Sequence, residues 1–223
     1  MENEKIFYKR NLPHIQTVGA IFFITCSLKG SISKNKLAEI REEYNLRKTI
    51  IDDSMSKKEI NYQKYFARRK YILDIDNIIH ENKGPSYLDS PANARILLER
   101  IESYHKKYYN LLAVTIMSNH FHMLIDTSVQ LKGNLVPDFI PENYVQLDKV
   151  MKLIKGGSAK FINEYCKTPG RQVWENESFD IYIRNEKMLS KVVGYILNNP
   201  VKAGIVNTFE EHPFTFVAEE ISY

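Results

Sequence analysis

The run from Leu111 to Asp126 (LLAVTIMSNHFHMLID) constrains the fold more than any other part of the chain. Two apolar stretches, Leu111 to Met117 and Phe121 to Ile125, are separated by Ser118-Asn119, which reads as a hairpin or tight bend between central strands. In the second strand, His120 and His122 flank Phe121. Side chains alternate across a strand, so the two imidazoles share a face with Cα atoms roughly 6.6 Å apart. Two rings so placed can converge on one metal ion, and they can equally be hydrogen-bonded core histidines. In either case they need partners, because an unsatisfied polar group in the interior is costly.

Composition bounds what surrounds this hairpin. With 223 residues, 43% hydrophobic and 26% charged, the chain fits a single globular domain over 1–223 and is not disordered. Its two cysteines, Cys26 and Cys166, exclude a disulfide framework and a cysteine zinc finger, which makes a reducing, cytoplasmic setting the expectation. The start Met1-Glu2-Asn3-Glu4-Lys5 lacks a signal-peptide core, and no apolar run approaches the roughly 20 residues that span a bilayer, so no membrane partner is expected. A net charge of +4 is a weak pointer to nucleic acid by itself. Its distribution says more: Lys57, Lys58, Lys64, Arg68, Arg69 and Lys70 interleave with Tyr62, Tyr65, Phe66 and Tyr71. Cations beside aromatics suit phosphates and unstacked bases, and the alternative is a solvated helix face.

The remaining pattern is mixed α and β. Gly19 to Leu28 reads as a buried strand, Ser33 to about Asn45 as a helix, and Asp52 to Arg69 as a polar stretch of helical character. Tyr71 to Ile79 fits strand or helix equally. Ser90-Pro91 opens a helix that reads as reaching about Lys107. Thr127 to Asn143 reads as a loop able to fold over the imidazoles, and Val145 to about Cys166 as a helix weakened by Gly156-Gly157. Gln172 to Trp174 and Ser178 to Arg184 look extended, and Glu186 to Asn198 forms the last strong helix. On that helix Leu189, Val192, Val193, Ile196 and Leu197 mark the core-facing stripe. Tyr195 flanks it, and Asn199 lies four residues on, sharing its face if the helix persists past Pro200. An amide oxygen there is well placed to join a metal, whereas Tyr195 alone reads as an ordinary half-buried helix tyrosine.

His120-Phe121-His122 after a hydrophobic strand, followed by Tyr195-x-x-x-Asn199-Pro200-Val201-Lys202-Ala203-Gly204, resembles the HUH single-tyrosine transposases of the IS200-like superfamily. The match is closer to the REP-associated tyrosine transposases (RayT), whose segments are visible in Arg10-Asn11-Leu12-Pro13-His14, Ala20 to Thr25, Met117 to His122 and Trp174 through Arg184. It runs from about residue 8 to 206, with 52–71 and 129–143 as insertions and 207–223 as a C-terminal tail.

The resemblance implies an α+β, ferredoxin-like antiparallel sheet of four or five strands with helices mainly on one face. It also implies Mg²⁺ or Mn²⁺ held by His120, His122 and Asn199, and Tyr195 as the nucleophile that cleaves single-stranded DNA carrying a hairpin, through a 5′-phosphotyrosine. Tyr144, Tyr165 and Tyr182 lack that context. Arg10, His14, Lys152, Lys155, Lys160, Arg184 and Lys202 are the implied DNA contacts, and the working form is a monomer or homodimer. Ile181 stands where the family pattern has a His, a departure that bears on DNA contacts or positioning rather than on the metal pair. The runner-up is a domesticated hairpin-DNA-binding protein that no longer cleaves, and an unrelated H-x-H metal hydrolase is a third reading.

Overall fold

The computed structural model describes residues 5–9, 13–51, 55–81, 84–131 and 140–221, with side chains from residue 18 onward. A short ladder pairs β1 (Lys5–Lys9) with β2 (Pro13–Thr17), and a five-stranded antiparallel sheet follows. Its strands are β3 (Ile21–Ser27), β4 (Asn110–Ile116), β5 (His120–Asp126), β6 (Phe179–Tyr182) and β7 (Thr215–Val217), in the order β6-β3-β5-β4-β7. Strands β4 and β5 form the expected hairpin, closed by a Met117 N–H to His120 C=O bond of 2.8 Å. The strand read over Gly19 to Leu28 is β3, whose Thr25 and Ser27 stand opposite His122 and His120. Strand β7 lies within the segment read as a tail and completes the sheet against β4.

Alternation along β5 separates two chemistries. Phe121, Met123 and Ile125 join Phe22, Ile24, Cys26 and Leu28 in the largest core cluster, which also holds buried residues of α3 (Pro91–Glu102) and α4 (Leu147–Tyr165). On the opposite face Phe23, Leu112, Ala113 and Leu124 pack against Val193, Ile196 and Leu197 of α5 (Glu186–Lys202). A bulge between Leu111 and Ala113 lets Leu112 and Ala113 both serve that second face. The α+β antiparallel architecture expected from the sequence is present. The helices, expected mainly on one face, divide between both, because the histidine face is itself apolar over most of its area and needs a cover.

Helix α1 (Lys34–Thr49) pairs with α2 (Lys57–His80), so the polar stretch and the undecided Tyr71 to Ile79 segment are one 24-residue helix. Ser56 and Glu59 close a capping box at its start. Its buried positions Ala67, Tyr71, Ile72, Ile75, Asp76 and Ile79 form one stripe, apolar except for Asp76. Helix α3 stops at Glu102 rather than near Lys107, since Lys106 has φ 60°, which no α-helix continues. Helix α5 runs through Pro200 to Lys202, so Tyr195 and Asn199 do share one helical face. No helix among the described residues is long and apolar enough to cross a membrane.

The two glycines of α4 behave differently. A Cβ on Gly156 would meet nothing within 4 Å, whereas one on Gly157 would fall 2.5 Å from Arg100 Nε and 2.7 Å from its Cζ. Arg100 is held there by Tyr104 Oη at 3.1 Å and by the Phe161 ring. Gly156→Ala should therefore stabilise the fold by about 1 kcal/mol through helix propensity. Gly157→Ala should forfeit that gain by displacing Arg100, and urea unfolding of the two variants side by side reads the difference.

Candidate metal and nucleophile site

His120 and His122 occupy the histidine face of β5 and are 2% and 0% exposed. Each ring is anchored through Nδ1, His122 to Thr25 Oγ1 at 2.8 Å and His120 to Asn119 Oδ1 at 2.6 Å. The Asn119 amide nitrogen in turn donates to Ile79 C=O at 2.9 Å, tying the hairpin to the last turn of α2. The two Nε2 atoms then face each other at 3.1 Å. Thr25 and Asn119 are the partners the buried imidazoles required, and the β3–β5 register supplies the first of them.

A third imidazole joins this pair from α2. His80 directs Nδ1 back to the Asp76 C=O at 2.7 Å, which turns its Nε2 into the site against Asn199 Oδ1. The ligand nitrogens of His80, His120 and His122 lie within 4.8 Å of one another, and among the described residues they form the group able to hold a metal ion. Asp76, one turn before His80, accepts a hydrogen bond from the Tyr195 hydroxyl through Oδ2, while its Oδ1 is 3.6 Å from His122 Nε2 and has no hydrogen bond. Asn199 is buried and its amide nitrogen donates to the Tyr195 carbonyl at 3.2 Å. Helix α5 thus brings Tyr195 and Asn199 to the histidines, as the sequence spacing anticipates.

Asp76 and His80 were not singled out in the sequence reading. Their signal is the i, i+4 spacing, which puts them on one face of a helix, and it is readable only once Tyr71 to Ile79 is known to be helical. Other candidates lie elsewhere. Lys152, Lys155 and Lys160 sit on α4, across the sheet from the imidazoles; Lys152 pairs with Asp148, Lys160 lies 3.9 Å from Glu164, and Lys155 donates to Asn176 C=O at 3.0 Å. Arg184 is exposed between β6 and α5, its guanidinium 3.7 Å from the centre of the Tyr65 ring of α2. Lys202 ends α5 close enough for its charge to act on Asp76. His14 stands opposite Tyr8 in the β1–β2 ladder, and Arg10 lies outside the described residues, as do 132–139 of the segment read as a covering loop. In the basic aromatic stretch, Arg68 is bound to Asp180 at 3.1 Å, whereas the exposed rings of Tyr62 and Phe66 pack against each other at a tilt of 49°.

Burial sets the protonation of the site. It holds His120 and His122 well below the ordinary imidazole range, with the neighbouring histidines adding to the effect. Burial also raises the Asp76 carboxyl, against the opposing pull of the Tyr195 hydrogen bond, His80 and Lys202. Tyr195 is raised by burial and by the Asp76 charge, so it is a phenol at neutral pH. Below pH 6.5 the unfolded metal-free chain takes up protons at His120 and His122 that the folded chain refuses, so stability falls as pH drops through that value toward the lowered folded ones. Asp76, whose carboxyl is raised in the folded chain, titrates in the opposite sense, and it is present in wild type and in a His122→Gln variant alike. His122→Gln should lessen the acid-side slope of unfolding free energy by up to about 1.4 kcal/mol per pH unit, measured by urea unfolding in chelator.

No family model matches the chain, and no curated protein matches it. Among solved structures it is similar to a REP-associated tyrosine transposase bound to a REP hairpin, at 16% sequence identity and a TM-score of 0.50, over 93% of this chain and 80% of that one. The agreement extends over most of the chain rather than one motif. The chain has the α+β fold of a REP-associated tyrosine transposase.

Proposed function

We propose that the chain is a metal-dependent single-stranded DNA endonuclease and strand transferase of the REP-associated tyrosine transposase family, acting on DNA that carries a hairpin. The observation that carries this reading is the convergence of the Tyr195 hydroxyl, the Asp76 carboxylate and the imidazoles of β5 in one site. The structural neighbour is bound to a REP hairpin, which supports a hairpin as the partner here. His120 and His122, with Asn199, would hold a divalent ion, which when bound orients the scissile phosphate and draws charge from its oxygens.

The rest of the step belongs to the chain's own groups. Tyr195 Oη forms a bond to phosphorus as the bond from phosphorus to the 3′ oxygen breaks. Its proton passes to Asp76, which already accepts the hydrogen bond and whose raised affinity for protons suits it to the task. The 3′ oxygen takes up a proton and leaves as a free hydroxyl, and the 5′-phosphotyrosine keeps the energy of the phosphodiester, so rejoining needs no nucleotide. Asn199, holding the Tyr195 carbonyl, and the α5 backbone fix the direction of attack. Arg184 and Lys202, both exposed and on the Tyr195 side of the sheet, are the phosphate contacts best placed to accept the strand. Arg10 and His14 are proposed further contacts, and Lys152, Lys155 and Lys160 would meet only DNA that passes around the β6 edge.

A binding-only protein has one observation in its favour: the Tyr195 hydroxyl is already engaged by a buried carboxylate and is held as a phenol. The two readings separate on a denaturing gel. With a divalent ion and hairpin-bearing single-stranded DNA, wild type should form a covalent adduct, and Tyr195→Phe should form none while its Kd for the hairpin changes by no more than about twofold. Asp76→Asn should slow adduct formation by about 10²- to 10⁴-fold, the range of a lost general base. An adduct in Tyr195→Phe removes Tyr195 as nucleophile; tight hairpin binding by a wild type that forms no adduct establishes the second reading.

A further inference from the structure

We propose that His80 is a metal ligand beside His120 and His122, and that α2 thereby makes the site a nitrogen-rich one that selects a divalent transition ion over Mg²⁺. This deepens the function proposed above and shares with it only the premise that a metal binds there.

The Asn119 amide nitrogen is committed to Ile79 C=O, so its oxygen faces His120 Nδ1, and that ring nitrogen must carry the proton. His80 Nδ1 faces the Asp76 C=O and must carry its proton as well. In the neutral rings, Nε2 of both histidines therefore offers a lone pair inward. Thr25 Oγ1 can donate or accept, so His122 is free to present Nε2 in the same way.

The oxygens at the site repeat the pattern. Asn199 donates one amide proton to the Tyr195 carbonyl and turns Oδ1 toward His80 Nε2, which in the neutral Nδ1–H ring sets an acceptor against an acceptor. Asp76 Oδ1 is buried without a hydrogen bond. Lone pairs thus gather from three elements, and with His80 as the neutral Nδ1–H ring no hydrogen lies between its Nε2 and Asn199 Oδ1. A cation reconciles them at one stroke. The end of α2 adds to this, because His80 is its last residue and the negative end of the helix dipole lies at the site.

Donor type decides which cation. Mg²⁺ prefers oxygen ligands in octahedral order and keeps its waters, whereas neutral imidazole suits Mn²⁺, Co²⁺, Ni²⁺ and Zn²⁺ with rising affinity along the series to copper. Two imidazoles with an amide oxygen leave Mg²⁺ in contention. A third imidazole does not.

The test uses the full chain without DNA, stripped by chelator and titrated with Co²⁺ alone, followed by visible absorption and calorimetry. Wild type should bind one Co²⁺, and an excess of Mg²⁺ should fail to displace it. His80→Ala and His80→Gln, shown folded by circular dichroism, should each bind Co²⁺ at least about tenfold more weakly with an altered spectrum, since even residues behind the ligands cost 10- to 100-fold. In wild type itself the electron paramagnetic resonance of bound Cu²⁺ should show coupling to three nitrogens. Coupling to two, or unchanged Co²⁺ binding in both His80 variants while His120→Ala abolishes it, would overturn the His80 assignment and leave the proposed nuclease intact. Ready displacement by Mg²⁺ would overturn the selectivity. A wild type that binds no Co²⁺ overturns this inference together with the metal dependence proposed for the reaction.

Discussion

Strand β5 sits at the centre of a sheet covered on both faces, and strand alternation puts two almost fully buried imidazoles on one of those faces. Each buried polar group left unsatisfied costs about 1–3 kcal/mol, so the fold must deliver hydrogen-bond partners to that face from several directions. The β3 register places Thr25 across from His122, and the hairpin turn places Asn119 beside His120. Helix α5 shields the face with Val193, Ile196 and Leu197 while presenting Tyr195 and Asn199 at its border. The polar site and the apolar packing around it are one solution to a single burial problem.

Helix α2 is the element on which the completed site turns. Its α1-facing stripe is apolar until the last turns, where Asp76 and His80 interrupt it and meet groups from β5 and α5 at once. Asp76 lies against His122 on one side and the Tyr195 hydroxyl on the other, so a displacement of α2 would loosen Tyr195 and the imidazoles together. The Asn119 bond to Ile79 C=O locks the same helix end to the β4–β5 turn. Elements on both sides hold Tyr195 in place, which is what the proposed attack along a defined line would require.

Much of this was legible in the chain. The β-branched and apolar runs of β3, β4 and β5 and the stripes of α4 and α5 are strong periodic signals, and the i, i+4 relation of Tyr195 and Asn199 survives Pro200 because that proline falls in the last turn, where the loss of one N–H donor is tolerable. What was not legible depends on tertiary choices. Tyr71 to Ile79 carries apolar residues at 71, 72, 73, 75, 78 and 79, a short window in which 71, 73 and 75 fit a strand and 71, 72, 75, 78 and 79 fit a helix, so the Asp76–His80 pair stays hidden. Strand β7 is three residues long and gains its identity only from pairing with β4. The lysines of α4 are regularly spaced in the sequence, but no local pattern says which face of the sheet a helix will cover. Ile181 packs between the α1–α2 cluster and the α5 cluster, and the third imidazole of the site comes from α2.

The site is graded from inside to outside, and the gradient bears on how Tyr195 would act in the proposed reaction. His120, His122, Asp76 and Asn199 are almost wholly buried, Tyr195 is half-buried, and Arg184 and Lys202 are exposed. A phenol needs a very strong pull to ionise, and burial beside a carboxylate makes ionisation harder still. The same burial makes Asp76 a better proton acceptor than an exposed carboxylate, so the two perturbations favour transfer along the hydrogen bond rather than loss to solvent. A tyrosine deeper in the core could not meet a phosphate, and one at the surface would lose Asp76 to water. Position 195, on the flank of the apolar stripe of α5 and one turn before Asn199, satisfies both demands.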